Sequence, residues 1–266
     1  MQWGWGLMFG LLLAAVAAVL VVLMVVFSRS SRTAPLGDLE GSEYTRLRWT
    51  RNLAAIFAVV WGLGSLVQAA QMLWAPAIDL TLPVRSIWPK IPAGVEVNQT
   101  TATVLDGTIS QVVATVEGLN LGTRALLAGE VLLLASMAVV ALIGVAQICA
   151  GLVRGEAFHT RIASWLRTTA WVFLAAGIGS QIAGQSGRNL ASAQAFDVHS
   201  GSWPDSLPFE SFEDIPGIFR PGFGFSLEFW PIGVWLVLMA LATAFRVGSR
   251  LSASNRRLKS EVEGLV

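Results

Sequence analysis

Five polar side chains interrupt long apolar stretches of this chain: Gln68, Gln71, Glu130, Gln181 and Gln185. Carboxamides and a carboxylate in such surroundings do one of two things. They line a pocket for a small molecule, lipid or ion, or they hydrogen-bond one helix to another at about 1 kcal/mol per contact. Gln181 and Gln185 are four residues apart, so a helix places both on one face. Glu130 is the one ionisable group of the five, and Arg124 is its nearest candidate partner in the sequence. Covalent chemistry finds less support. An intramembrane enzyme needs a nucleophile and base, or a metal set, at one depth. Ser180 and Glu130 are the only candidates, and neither histidine, His159 or His199, falls in an apolar stretch. The single cysteine, Cys149, excludes an internal disulfide and leaves no His/Cys cluster for zinc, haem or iron–sulfur. The expectation is a non-enzyme with no cofactor and no metal.

The elements that must position these groups are hydrophobic helices. Residues 1–28, 52–78, 168–187 and 229–245 carry no charge, and 125–153 carry only Glu130. About 20 apolar residues cross the roughly 30 Å hydrocarbon core of a bilayer as a helix. The chain is 54% hydrophobic and only 13% charged, with a mean hydropathy of +0.63, against about a quarter charged in soluble domains. The first stretch starts Met1-Gln2-Trp3-Gly4-Trp5 without a basic n-region, and its apolar run outlasts the 7–15 residues typical of a signal peptide. It reads as a retained helix. The fold expected is an all-α integral membrane protein with five transmembrane helices, at 1–28, 53–74, 125–153, 168–187 and 229–245, in the cell membrane.

Charge orients the five. Thirteen of the eighteen Lys and Arg residues fall in the linker 29–52, the loop 154–167 and the tail 246–266; the other five are Arg85, Lys90, Arg124, Arg188 and Arg220. Cytoplasmic loops hold the excess, so the N-terminus is expected outside and the C-terminus inside. Trp3, Trp5, Trp49, Trp74, Trp165 and Trp230 sit near stretch ends, where indole rings favour the headgroup layer. With this topology Gln68, Gln71, Glu130, Gln181 and Gln185 all fall in the outer halves of their helices.

Two outer loops remain, forming a small extracytoplasmic β-hairpin/loop cap. In 75–124, the β-branched runs Thr100–Leu105 and Thr108–Val116 flank Asp106-Gly107, a type I′ hairpin signal. The segment 188–228 is rich in Pro, Gly and aromatic residues, among them Trp203, Phe209, Phe212, Phe219, Phe223 and Phe225, and carries Asp197, Asp205, Glu210, Glu213 and Asp214. It reads as an ordered loop packed on the hairpin, or as a docking surface. Its acidic spacing matches no calcium loop. Gly6 and Gly10, and Ala176, Ser180 and Gly184, place small residues at helical spacing for close backbone approach.

The inner segments carry a family likeness. Arg154-Gly155-Glu156-Ala157-Phe158-His159 follows the third stretch, and Glu261-Val262-Glu263-Gly264-Leu265-Val266 ends the tail. Over about 53–266 the chain resembles the bacterial membrane family called domain of unknown function 2975, in its G-x-x-F inner loop and its acidic-Gly-Leu-Val ending. The first helix and the basic linker 29–52 lie outside that pattern. The resemblance implies no enzymatic activity, and it implies a membrane partner that holds or senses for a regulator. Arg250, Arg256, Arg257 and Lys259 suit anionic headgroups, and Leu265 and Val266 suit docking on the Phe158 loop; the alternative is an ordinary basic anchor. The expected role is a regulatory or accessory subunit of a membrane assembly, contacting the bilayer and a protein partner or a second copy, with no direct nucleic-acid contact. The competing role is small-molecule or lipid binding or transport at the polar cluster.

Overall fold

A computed structural model describes residues 41–87, 107–153, 160–198 and 219–263. Within them, in chain order, are α1 (Gly41–Trp74), β1 (Ala77–Ile87), β2 (Ile109–Glu117), α2 (Leu121–Val153), α3 (Thr160–Phe196) and α4 (Trp230–Glu263). Each helix has at least 33 residues, so at 1.5 Å per residue each is about 50 Å long, more than a bilayer core requires. Among the described residues, three stretches are long and apolar enough to cross a membrane: Tyr44–Trp74, Leu121–Val153 and Trp230–Leu251. The expected span 168–187 lies inside α3, where Thr168, Thr169, Ser180, Gln181, Gln185 and Ser186 dilute the apolar run. The stretch 1–28 lies outside the described residues.

The helices overrun the uncharged stretches. α1 takes in residues 41–52 of the basic linker, α3 begins in the loop 154–167 and continues to Phe196, and α4 carries the tail through Glu263. The backbone of the basic tail is thus one helix with the preceding apolar segment. No proline interrupts these continuations, so the i to i−4 ladder has no reason to stop where the charges begin.

The chain divides into two compact units. The first comprises residues up to Gln68, Val131–Ser180 and Glu228–Val266. Its helices bury small residues, among them Ala54 and Ala58 of α1, Ala135 and Ala146 of α2, Ala170 and Ala176 of α3 and Ala242 of α4, and they expose Phe57, Trp61, Leu236, Val237 and Leu251. Large apolar groups outside and small ones within are what a lipid-facing bundle shows. The close approach is visible at Gly177, where an added methyl would lie 2.7 Å from Pro231 of α4. Nearby, Trp171 and Trp235 pack with ring centroids 5.6 Å apart.

The second unit comprises Ala69–Glu130 and Gln181–Leu227. Along β1, Ile78, Leu80, Leu82 and Val84 are buried, whereas Asp79, Thr81 and Arg85 are exposed. Ile78, Leu80 and Leu82 pack with Val116, Leu119, Leu127 and Ala191, and with Met72, Ala114 and Phe196 at the margin. β2 pairs antiparallel with β1, from Ala77 opposite Glu117 to Pro83 opposite Gln111, and the register then shifts before Ile87 opposite Ile109. The expected second arm is a strand, and among the described residues it pairs with Ala77–Ile87; the expected first arm Thr100–Leu105 and the turn residue Asp106 lie outside the described residues. Asp79 and Thr115 face each other in this ladder, and the Thr115 hydroxyl donates to the Asp79 carboxylate at 2.6 Å.

Gly118 turns the chain from β2 toward α2 with a φ of +76°, a left-handed value that favours glycine. Asn120 then caps α2, accepting from the Thr123 N–H at 2.8 Å. Arg124 follows in the first turn, 8% exposed. Its guanidinium donates to the carbonyls of Leu119 at 3.2 Å, Leu73 at 3.3 Å, Ala75 at 2.6 Å and Pro76 at 3.3 Å. Two of these belong to the α1–β1 link and one to the last turn of α1, whose terminal carbonyls have no partners in their own helix. The expected pairing of Arg124 with Glu130 is therefore replaced by a carbonyl cage. Arg124→Met should lower stability by about 3 kcal/mol, because hydrogen bonds to a charged donor contribute roughly 1.5–3 kcal/mol and the orphaned carbonyls stay buried. Thermal unfolding in detergent measures this, and an unchanged midpoint would contradict the cage's role.

Candidate functional site

Glu130 sits in α2, half-buried, and its carboxylate pairs with Arg188 of α3. One guanidinium nitrogen reaches both carboxylate oxygens, at 3.0 and 2.9 Å. The carboxylate lies against the backbone of α3, where a methyl on Gly184 would collide with it. Gly187, one turn on, meets Leu127 of α2 in the same way, its added methyl falling 2.9 Å from the Leu127 Cδ2. Of the small-residue ridge read from Ala176, Ser180 and Gly184, it is Gly184 that leaves room for the ion pair.

The other expected members of the cluster are placed differently. Gln68 and Gln71 are exposed on α1. Gln181 is half-buried on α3. Gln185 turns its carboxamide to the peptide of Ser226, donating to its carbonyl and accepting from its N–H. Asn189, one turn further, does the same for Gly224, donating at 3.0 Å and accepting at 3.2 Å. Two side-chain amides four residues apart thus read two backbone units two residues apart, as a neighbouring strand would. Ser180, the one candidate nucleophile, is 2% exposed, and its hydroxyl donates to the Gly177 carbonyl of its own helix at 3.0 Å.

Residues 220–226 form a strap held along its length. The Arg85 N–H donates to the Arg220 carbonyl at 3.0 Å, and the Gly222 N–H donates to the Pro83 carbonyl at 3.1 Å. Pro221 bridges Val84. A methyl on Gly222 would meet the backbone of Val84, 2.7 Å from its nitrogen, so no side chain fits there. Ser192 of α3 donates to the same Pro83 carbonyl. Gln194 completes the set, accepting from the Asn120 N–H at 2.9 Å and donating to the Thr123 hydroxyl at 2.7 Å. The polarity of Gln185 marks it in the sequence; Arg188, Asn189, Ser192 and Gln194 fall in the expected outer loop 188–228 but continue the helix to Phe196, and the steps of three and four from Gln185 to Arg188, Asn189 and Ser192 are the signal of it.

Among the described residues, no three His, Cys, Asp or Glu side chains gather as a metal site. Phe158, Leu265 and Val266 lie outside the described residues; Arg250 is exposed on α4, and Arg256, Arg257 and Lys259 follow on the same helical backbone. No protein-family model, curated protein or solved structure matches the chain. The family resemblance therefore rests on its short inner motifs alone.

Gly184 offers a direct test of the ion pair. A Gly→Ala change inside a helix ordinarily stabilises by about 1 kcal/mol. Gly184→Ala should instead destabilise the protein, because the methyl displaces the Glu130 carboxylate from Arg188. In a Glu130→Ala background the same change should become neutral or stabilising. A double-mutant cycle of Glu130→Gln with Arg188→Gln should give a coupling near 1 kcal/mol, the scale of partly exposed pairs. Equal effects of Gly184→Ala in both backgrounds would refute the arrangement.

Proposed function

We propose that the chain is a non-enzymatic integral membrane protein acting as an accessory or regulatory subunit of a membrane assembly. In this reading it crosses the membrane five times, with its N-terminus outside and its C-terminus inside. The observation that carries it is the outward face of α1. Leu53, Phe57, Val60, Gly64, Gln68 and Gln71 recur at helical spacing and are all exposed, within a stretch long and apolar enough to cross a membrane. A methyl on Gly64 would meet nothing within 4 Å. Leucine and phenylalanine suit lipid, but carboxamides one and two turns beyond a glycine suit a second helix, which can approach closely and hydrogen-bond to them.

Ligand binding at the polar cluster has less to work with. Glu130 is neutralised by Arg188 and the Gln185 amide is taken up by Ser226, so both groups are already engaged within the protein. The basic helix beyond Arg246 would lie on anionic headgroups or meet an inner partner.

Purification in mild detergent should give a stoichiometric complex with another membrane protein or a second copy. Gln68→Leu with Gln71→Leu should release the chain as a monomer without loss of folding. Cysteine at position 68 should cross-link to another chain. A wild-type monomer with no companion, or a cross-link from position 68 only to residues 1–28 of the same chain, would overturn the proposal.

A further inference from the structure

The strap carries an apolar edge that the accessory role does not use. Its backbone is fixed at Arg220 and Gly222 by β1 and at Gly224 and Ser226 by the amides of Asn189 and Gln185. In an extended segment alternate side chains share a face, and beyond Pro221, which bridges Val84, the odd-numbered residues here are Phe223, Phe225 and Leu227. They are 85%, 51% and 43% exposed. No charge interrupts 221–227, although Arg220 and Glu228 flank it. Two phenylalanines and a leucine held outward on a fixed backbone form a patch that water disfavours.

We propose that Phe223, Phe225 and Leu227 insert into the headgroup–acyl boundary of the bilayer, making the strap an interfacial anchor. The occupant follows from chain continuity. Three residues after Leu227 the chain enters Trp230–Leu251, a helix long and apolar enough to cross a membrane. Three extended residues reach about 10 Å at most, so Leu227 stays within reach of the membrane surface wherever that helix enters it. Trp230 at the helix start belongs to the residue class that gathers at this layer. The side-chain amides fit the same setting. A backbone leaving water must find its hydrogen bonds within the protein, and Gln185 and Asn189 supply both donor and acceptor to Gly224 and Ser226. In open water solvent would supply the same bonds, and two dedicated carboxamides would add little.

The inference depends on the membrane placement of α4 and not on the accessory role, and its test is separate. In a Cys149→Ser background, Phe223→Cys and, independently, Phe225→Cys are labelled with an environment-sensitive fluorophore in the full-length chain. The protein is placed in phosphatidylcholine nanodiscs, with quenching measured by aqueous iodide and by a phosphatidylcholine bearing a nitroxide near the top of its acyl chain. Lipid quenching several-fold stronger than iodide quenching is the expected result at both positions. Dominant iodide quenching would place the strap in water and overturn the proposal. Protection from both quenchers would mean that protein covers the strap, and would overturn it equally. If either variant fails to fold, the other carries the measurement, since Phe223 is exposed enough for replacement to disturb little packing.

Discussion

A buried arginine surrounded by carbonyl oxygens is the constraint on which the second unit depends. Arg124 is nearly inaccessible, and an ion of that size taken out of water costs several kcal/mol unless its surroundings return the lost hydration. Here they do so with no counter-ion among the described residues. Carbonyls of Leu73, Ala75, Pro76 and Leu119 converge on one guanidinium, and those from the end of α1 lie at the negative pole of the helix dipole. The requirement is mutual: α1 ends where its carbonyls find the arginine, and the guanidinium has acceptors for its N–H groups because the helix ends there. The chain is thereby turned out of α1 and into β1 at a fixed place. β1 can then lay Ile78, Leu80 and Leu82 against Leu127 and Ala191.

Much of this was hidden from sequence for one physical reason. Every residue has a carbonyl, so a cage of carbonyls leaves no compositional mark. Arg124 near the start of an apolar stretch reads as an interfacial charge, and Glu130 looks like its partner, six residues away. The partner is Arg188, 58 residues away, and that separation is bridged by helix packing. β1 is a different case. Its alternation of Ile78, Leu80, Leu82 and Val84 with Asp79, Thr81 and Arg85 was present in the sequence, but Pro83 reads as a strand breaker and Asp106-Gly107 is a stronger turn signal. Pro83 is tolerated where it stands because the ladder asks only for its carbonyl, which accepts from Gly222 and Ser192. The apolar helices, by contrast, were legible, since span length and absence of charge are local properties. Three of the expected stretches recur as helices long and apolar enough to cross a membrane.

α3 shows why apolarity alone misses an element. Its last turns carry Gln185, Arg188, Asn189, Ser192 and Gln194 at successive steps of three, one, three and two residues. Each ends on a different piece of backbone or side chain: Ser226, Glu130, Gly224, Pro83 and the cap of α2 at Asn120 and Thr123. These are long-range contacts, so the helix acts as the spine to which the second unit's irregular segments are tied. Such a helix trades hydropathy for hydrogen bonds, and α3 holds no stretch long and apolar enough to cross a membrane.

The same trade decides what kind of site the molecule offers. A ligand pocket needs convergent polar groups with free valence. In the second unit the polar groups converge, but on the protein's own backbone, and the glycines beside them, Gly184 and Gly222, have been kept free of side chains so that carboxylate and strand can approach. Rigidity of this kind presents a fixed surface outward. Among the groups that remain outward are the carboxamides of Gln68 and Gln71 and the rings of Phe223 and Phe225. They differ in what they demand of a neighbour. A carboxamide inside an apolar helix needs a directional partner, which another helix supplies and acyl chains do not. A phenyl ring on a strap that already has its hydrogen bonds needs only an apolar surface, which lipid supplies at no cost in specificity. In the proposed reading, the chemistry of recognition is therefore divided between a helix face that calls for protein and a strap that calls only for lipid.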